Sequence, residues 1–471
     1  MPLVLENDLT VQITRLTLDS SLHSRELLKA GTRPQITVNP APAPVYTITS
    51  SRFEDPFNDN EIKDLTTHGL SASVNLSQVL PTDGALTASL SDTMTVGVRD
   101  DETVISQSPG LDLTLSQPLF TNGKIIDLSI YPARQALYGD IPVTRSGLQE
   151  KAAKNTGLLK AFLTYKSTFT LRRQLRNQDL NIEMTERLLN LSRLRAKQGS
   201  ITSRDLWEEE LVLESLKEAR LELKYTLMEA EQSLAQSLGT TDPLSKVTLA
   251  AEIPVIEIEE SDSDLIERAM TANLDILDKT LAVEEARHTG ILNGREFSSN
   301  LSLSMSLNPK YPPSRTTDDD ADKDFGASFS DLFEEEAYIE PVMSIGLSIP
   351  VYDGGKAKHQ REIDQNMVGI AAGNLASVRR SVMDTMQNLF LRRNMLVEKL
   401  ELVRANLSLE QERLIEKQRL FELKQTTALD VDRVRLKANE KELEIWVTEA
   451  DLFLNSIQIL SQAGYDLQLL F

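Results

Sequence analysis

The placement of proline leaves few folds open to this chain. All 18 prolines lie outside two intervals, 143–242 and 351–471, which run for 100 and 121 residues without one. Proline removes a backbone donor and clashes with the preceding helical turn, so proline-free runs rich in Leu, Glu, Lys, Arg and Ala are helix territory. At 1.5 Å per residue, each run broken once near its middle gives two helices of roughly 60–90 Å. Helices of that length are coiled-coil or repeat elements. The breaks fall at 199–205 and 424–430, where small hydroxylic residues stand just ahead of Asp205 and Asp430. That pattern suits a helix C-cap, a tight turn and a new N-cap.

The segments ahead of each run follow a different period. Residues 35–49, 68–77, 84–98 and 110–120 alternate apolar and polar, as in Leu111, Leu113, Leu115 and again in Leu301, Leu303, Met305, Leu307. Alternation over about ten residues is the strand signal, and it is the weak signature of a membrane barrel strand. The stretch 309–338, with Asp318, Asp319 and Asp320, reads as an exposed acidic loop.

Strand pair and hairpin then occur twice. Gln117, Pro118, Leu119, Phe120, Thr121, Asn122, Gly123 and Lys124 match Ile349, Pro350, Val351, Tyr352, Asp353, Gly354, Gly355 and Lys356 at a shift of 232. Thr202, Asp205 and Leu206 match Thr427, Asp430 and Val431 at 225, and Gly239 falls on Gly464 at the same shift. The opening helix, from Leu9 to Leu18, matches Leu274 to Val283 at 265. Order is kept throughout, so the changing shift records loop lengths. The expected layout is a first repeat over 1–242 and a second over 243–471. The first holds a helix at 1–33, barrel strands and loops at 34–120 and a hairpin at 121–239. The second holds an equatorial linker at 240–263, a helix at 264–298, barrel strands with the acidic loop at 299–350, and a hairpin at 351–471. Helical sequence precedes the match only in the second copy, from Asp264 to Met270. The expectation is a chain trimmed of its signal and first residues, with a short first helix as the alternative.

Two heptad stripes run along the last helix: Leu429, Leu436, Leu443, Ala450, Ile457, and Val431, Ala438, Ile445, Leu452, Ile459. They stand two residues apart, roughly 200° around the helix. A helix in a cylinder wall needs two such flanks, one toward each neighbour; a helix buried inside a bundle is the alternative. In the first hairpin Leu206, Leu213, Leu227 and Leu234 share a heptad position broken by Arg220, with Leu216, Leu223 and Ala230 on another.

Composition excludes several classes. Net charge is −21, which argues against nucleic acid as partner. With no cysteine there are no disulfides, thiolate metal sites, Cys nucleophiles or lipidated Cys. No apolar stretch reaches 18 residues, and the segment from Met1 to Leu5 is not a secretory signal. His23, His68, His288 and His359 are scattered without metal-ligand spacing. Gly354, Gly355 and Lys356 are followed by Ala357 and lack the phosphate-loop pattern. No catalytic constellation, cofactor or metal site is expected.

Strand pair, proline-apolar-aromatic-x-x-Gly-Lys corner and long hairpin, all repeated, together resemble the TolC-like outer membrane efflux protein family. The resemblance covers nearly the whole chain and rests on 117–124, 349–356, the two Thr-x-x-Asp turns and the helix led by Asn273. It implies a mainly α fold with β: a homotrimer whose chains each give four strands to a twelve-stranded β-barrel, continued by a twelve-helix α-barrel. The implied role is a passive duct across outer membrane and periplasm for efflux or type I secretion. Its implied partners are an inner-membrane transporter, a periplasmic adaptor and outer-membrane lipid, in a Gram-negative-type bacterium. It also makes the two turns the periplasmic tip, with Gly199, Ser200, Thr202, Ser203, Thr426, Thr427 and Ala428 facing the adaptor. The gate carboxylate maps onto Asp430, with Asp205 its first-copy counterpart, while a second expected gate carboxylate falls on Arg433. Asp205 and Asp430 can also be read simply as N-caps, and for Asp205 that reading stands level with the gate. The stretch 68–98 has no place in a four-strand plan, and an extra hairpin outside the barrel is one reading of it. A periplasmic coiled-coil adaptor or scaffold without a barrel is the alternative function.

Overall fold

The computed structural model describes residues 2–470 apart from 40–50, 55–61, 100–101, 122–123, 199, 201, 240–248, 250–252, 254–255, 257, 297–298, 311–313, 317–337 and 350. The acidic triplet 318–320, most of the equatorial linker and Gly199 therefore lie outside the described residues. The chain is mainly helical with one antiparallel sheet. It divides into two compact units, a helical one of 1–19, 144–282 and 371–471, and a sheet one of 20–143 and 283–370.

In chain order the first repeat holds α1 (Pro2–Asn7), α2 (Leu9–Ala30), β1 (Gln35–Asn39), β2 (Ser51–Glu54), β3 (Ile62–Val79), β4 (Ala85–Arg99), β5 (Glu102–Thr121) and β6 (Lys124–Ile125). It continues through α3 (Ile130–Gln135) and one π-helical turn to α4 (Ile141–Lys197) and α5 (Ser203–Leu238). The second holds α6 (Asp262–Ala272), α7 (Leu274–Glu296), β7 (Asn300–Lys310), β8 (Ser314–Thr316), β9 (Tyr338–Ser348), α8 (Lys356–Glu422) and α9 (Ala428–Gln462).

Neither long run breaks at its middle. Helix α4 has 57 residues against 36 in α5, and α8 has 67 against 35 in α9. At 1.5 Å per residue the longer arms reach about 86 and 100 Å. The asymmetry comes from the turns, which fall past the middle of each run, and from α9 ending at Gln462. Pro142 stands just after the π-helical turn Ala136–Asp140, in a helix that runs without a gap from α3 into α4. Asp353 accepts from Gly355 N (2.8 Å) and Ala357 N (2.7 Å) at the start of α8.

The four long helices lie side by side in the order α5, α4, α9, α8. Arg172 on α4 pairs with Glu231 on α5 at 2.8 Å. Phe169 on α4 stacks on Trp446 of α9 with ring centroids 3.9 Å apart, and Lys166 meets Asp451 at 2.6 Å. Arg404 on α8 meets Glu449 on α9 at 2.7 Å, and Asn455 Nδ2 donates to Leu389 O at 3.0 Å. The two middle helices, α4 and α9, are thus packed on two flanks, with Leu158, Phe162, Phe169, Trp446, Phe453 and Ile457 forming one buried cluster. The outer helices each keep a bare apolar stripe. On α5 it is Trp207, Leu211, Leu221, Tyr225 and Met228, and on α8 Leu391, Met395, Leu402 and Leu409. Both follow heptad spacing.

The repeat also shows in how each first helix is broken. Asp8 Oδ1 accepts from Thr10 N (2.7 Å) and Val11 N (3.4 Å), starting α2. Asn273 Oδ1 accepts from Asp275 N (3.0 Å) and Ile276 N (3.3 Å), starting α7. The two caps stand 265 apart, the shift of the opening-helix match. Helix α1 occupies the place that the C-terminal half of α6 takes in the second copy.

In the sheet unit the strands form six lanes. Both β1 and β2 pair with one side of β3, β3 pairs with β4, β4 with β5, both β7 and β8 pair with the far side of β5, and β7 pairs with β9. The stretch 68–98 therefore lies inside the sheet as β3 and β4, between β1 and β5.

Candidate functional site

The helix-to-helix turns are built alike. Ser200 N donates to Arg195 O (2.9 Å) and Gln425 N to Leu420 O (2.8 Å), each closing a helix C-terminus five residues back. Lys424 takes φ 58 there, the left-handed conformation usual for glycine at a helix end. Thr202 then caps α5: Asp205 N donates to Thr202 Oγ1 (3.2 Å), and Thr202 N donates back to Asp205 Oδ2 (3.1 Å). Thr427 caps α9 in the same way, at 3.2 Å from Asp430 N and 3.3 Å from Thr427 N to Asp430 Oδ2. Thr427 Oγ1 (2.7 Å) and Thr426 Oγ1 (3.1 Å) also donate to that oxygen. Ser203 and Ala428 are the first residues of their helices.

These bonds hold both carboxyls below the ordinary aspartate range. The Thr202 hydroxyl is the main cause at Asp205; at Asp430 it is the Thr427 hydroxyl, then Thr426, the Thr427 N–H and, last, the charge of Arg433. Because the folded-state value is depressed, the cap contribution is present above the unfolded aspartate value of about 3.9 and is lost as pH falls through the folded one. Thr202→Ala and Thr427→Ala are each expected to cost about 1 kcal/mol. Amide exchange in the first turns of α5 and α9 checks this, and the wild-type protection should itself fade below about pH 4.

Cross-strand register gives the sheet two unlike faces. Residues directly opposite share a face. Ile36 and Val38 stand opposite Leu76 and Val74, and those opposite Ala88 and Leu90, which stand opposite Leu113 and Leu111. Leu113 and Leu115 face Leu307 and Met305, and Leu303 and Met305 face Ile345 and Met343. One apolar face thus crosses all six lanes, and it is open: Ile36, Val38, Met343 and Ile345 are each at least 60% exposed. The other face carries Thr37, Ser73, Asn75, Ser89, Thr114, Ser304 and Ser344. Its side chains bond across the lanes, Asn39 Nδ2 to Ser73 Oγ (3.4 Å) and Ser89 Oγ to Asn75 Oδ1 (2.6 Å), and along β3, Asn75 Nδ2 to Ser73 Oγ (3.3 Å).

Sequence reading missed the anchor of this sheet. Asp83, in the β3–β4 turn with φ 60, has a buried carboxylate that pairs with Arg134 of α3 (3.1 Å) and with Arg295 of α7. Thr82 Oγ1 donates to Gln117 Oε1 (2.6 Å), and Gln117 Nε2 donates to Thr82 O (3.1 Å). A lone aspartate among many offers no sequence signal for such a clamp. Among the described residues no group of His, Cys, Asp or Glu could hold a metal ion, and no helix is long and apolar enough to cross a membrane.

The fold itself is shared with solved structures. VceC, an outer membrane protein of Vibrio cholerae, superposes with TM-score 0.61 over 98% of this chain and 94% of its own, at 11% identity. The chain has the TolC-like outer membrane factor fold. This TolC-like fold is found as well in the CmeC outer membrane channel of Campylobacter jejuni, at TM-score 0.60, 12% identity and 98% and 84% coverage. The open-state MtrE outer membrane channel of Neisseria gonorrhoeae gives 0.55, 14%, and 99% and 88%. No family model matches the chain, and no curated protein matches it.

Proposed function

We propose that the chain is one protomer of an outer-membrane channel, a homotrimer serving as a passive trans-periplasmic duct for efflux or type I secretion. The observation that carries this reading is the two-faced sheet. Only a closed barrel can cross lipid without an apolar helix, because every backbone group then finds a partner in the next strand. Here the apolar face runs unbroken from Ile36 to Ile345, opposite a face of Ser, Thr and Asn. That is the pattern of a barrel with lipid outside and water inside.

The helices support the same assembly. Four long helices side by side leave bare heptad stripes on the outer pair, α5 and α8. In three copies, α5 of one protomer covers α8 of the next, and twelve helices close a cylinder. The partners proposed for it are a periplasmic adaptor at the 199–205 and 424–430 turns, an inner-membrane transporter, and outer-membrane lipid. No enzymatic chemistry is proposed. Native mass measurement in detergent, with solute release from liposomes, tests the reading: a trimer that releases small solutes is expected, and a monomer that inserts without release would sink it.

At the tip, Asp430, its counterpart Asp205 and Arg433 are proposed to border the periplasmic entrance. Three copies of Asp430 in a narrow opening attract cations. Asp430→Ala should reduce cation blockade, whereas Thr427→Ala removes the cap but keeps the charge and should leave blockade intact. Equal blockade in wild type and Asp430→Ala would leave Asp430 as a cap alone.

A further inference from the structure

We infer that each chain contributes six strands rather than four to the membrane wall, so that three chains close an eighteen-stranded barrel (three times six). This rests on the proposed trimeric channel and deepens it. Four of the lanes are those that adjoin the helices: β1 follows α2, β5 precedes α3, β7 follows α7 and β9 precedes α8. The other two, β3 and β4, form a hairpin that enters the sheet between β1 and β5, leaving no pairing between those two strands.

Three observations place this hairpin in the wall. Its pairing is continuous, with β3 and β4 registered from Thr66↔Val98 to Val79↔Ala85 and β4 and β5 from Ala85↔Ser116 to Arg99↔Glu102. Both strands exceed the roughly nine to eleven residues that a tilted strand needs to cross a bilayer. Near the turn its side chains follow the faces of its neighbours: Val74, Leu76, Ala88 and Leu90 continue the apolar face, which Asp92 interrupts further along β4, while Ser73, Asn75 and Ser89 continue the polar one. A hairpin lying outside a finished barrel has no reason to match that alternation, since a shift of one residue would reverse every side chain. The turn is also fixed, with Asp83 held by Arg134 and Arg295 and Thr82 held by Gln117. These residues come from α3, α7 and β5, so the hairpin is tied to the sheet at the base shared by both repeats.

Barrel diameter grows roughly linearly with strand number, so eighteen strands give a bore about 1.5 times that of twelve. Among the described residues, β1 and β9 are the remaining edges, each paired on one side. Their exposed Ile36, Val38, Met343, Ile345 and Leu347 continue the apolar face to both borders, where the β1 edge of a second copy of this chain meets β9.

The chain has no cysteine, so single cysteines report cleanly. Val74→Cys, Leu90→Cys, Asn75→Cys and Ser89→Cys, with Leu113→Cys in β5 as reference, are reconstituted in liposomes and exposed to a charged, membrane-impermeant maleimide. Asn75→Cys and Ser89→Cys should label through the pore, while Val74→Cys, Leu90→Cys and Leu113→Cys stay protected by lipid. If Leu113→Cys is protected but Val74→Cys and Leu90→Cys label as fast as Asn75→Cys, the hairpin lies outside the wall and the six-strand inference falls alone. If Leu113→Cys labels too, the channel reading itself falls. As a second arm, Ile36→Cys with Leu76→Cys should oxidise to an intrachain disulfide in the assembled trimer; a trimer that forms none contradicts β1–β3 pairing.

Discussion

Gly464→Ala is expected to unfold the helical unit far more readily than the matching change Gly239→Ala. The two glycines stand 225 apart, each just beyond the last helix of its repeat, with φ 81 and φ 66. Both substitutions carry the left-handed penalty of about 1–2 kcal/mol. What the new methyl meets differs. At 239 it runs into the side-chain amide of Asn7, which can rotate away after losing its 3.2 Å bond to Leu238 O. At 464 it runs into the backbone carbonyl of Ala272, at the end of α6. That carbonyl cannot move without disturbing Asn273, whose Nδ2 holds Gln462 O at 2.8 Å, and the fully buried Leu265 and Ala269 behind it. The expected cost is about 1–2 kcal/mol at 239 and more than about 3 at 464, in the range reserved for backbone strain against a packed core. Denaturant midpoints of the two purified variants measure the difference, and equal midpoints would refute the argument.

The second large effect separates the faces of the sheet. Leu113→Arg should abolish or strongly weaken assembly, while its neighbour Thr114→Arg should assemble normally and alter ion selectivity. Leu113 stands between Ala88 and Leu307 on the apolar face, whereas Thr114 stands between Thr87 and Ser306 on the polar one. An arginine on the lipid side costs about 2–4 kcal/mol near the bilayer midplane, three times over in a trimer. Inside an aqueous pore it adds charge at little cost. Heat-modifiable migration of the trimer in detergent reads the first effect and reversal potentials read the second. Normal assembly of Leu113→Arg together with failure of Thr114→Arg would invert the face assignment.

Local features were legible and long-range partnerships were not. Proline spacing located the hairpins because helix breaking is a property of one residue and its own turn. The Thr-x-x-Asp turns are reciprocal caps in both repeats for the same reason. Period-two alternation marked residues 68–98 as strand, but alternation cannot say which strand lies alongside, since pairing joins residues far apart in sequence. The four-strand plan thus left the hairpin homeless, and it took the pairing of Ala88 with Leu113 to give it a lane. The stripes on α9 pointed to two packed flanks, yet the Phe169 and Trp446 stack that joins the hairpins carries no sequence mark beyond two aromatic residues. The N-caps are Thr202 and Thr427 rather than Asp205 and Asp430, which close each capping box from the third helical residue. The gate role rests on bringing three copies together.

Conductance of the purified full chain in planar lipid bilayers tests the central claim most directly. A trimer whose six-lane sheets close one barrel should give discrete, long-lived single-channel steps. A protein that stays monomeric, or a trimer that gives no steps in the bilayer, would contradict it.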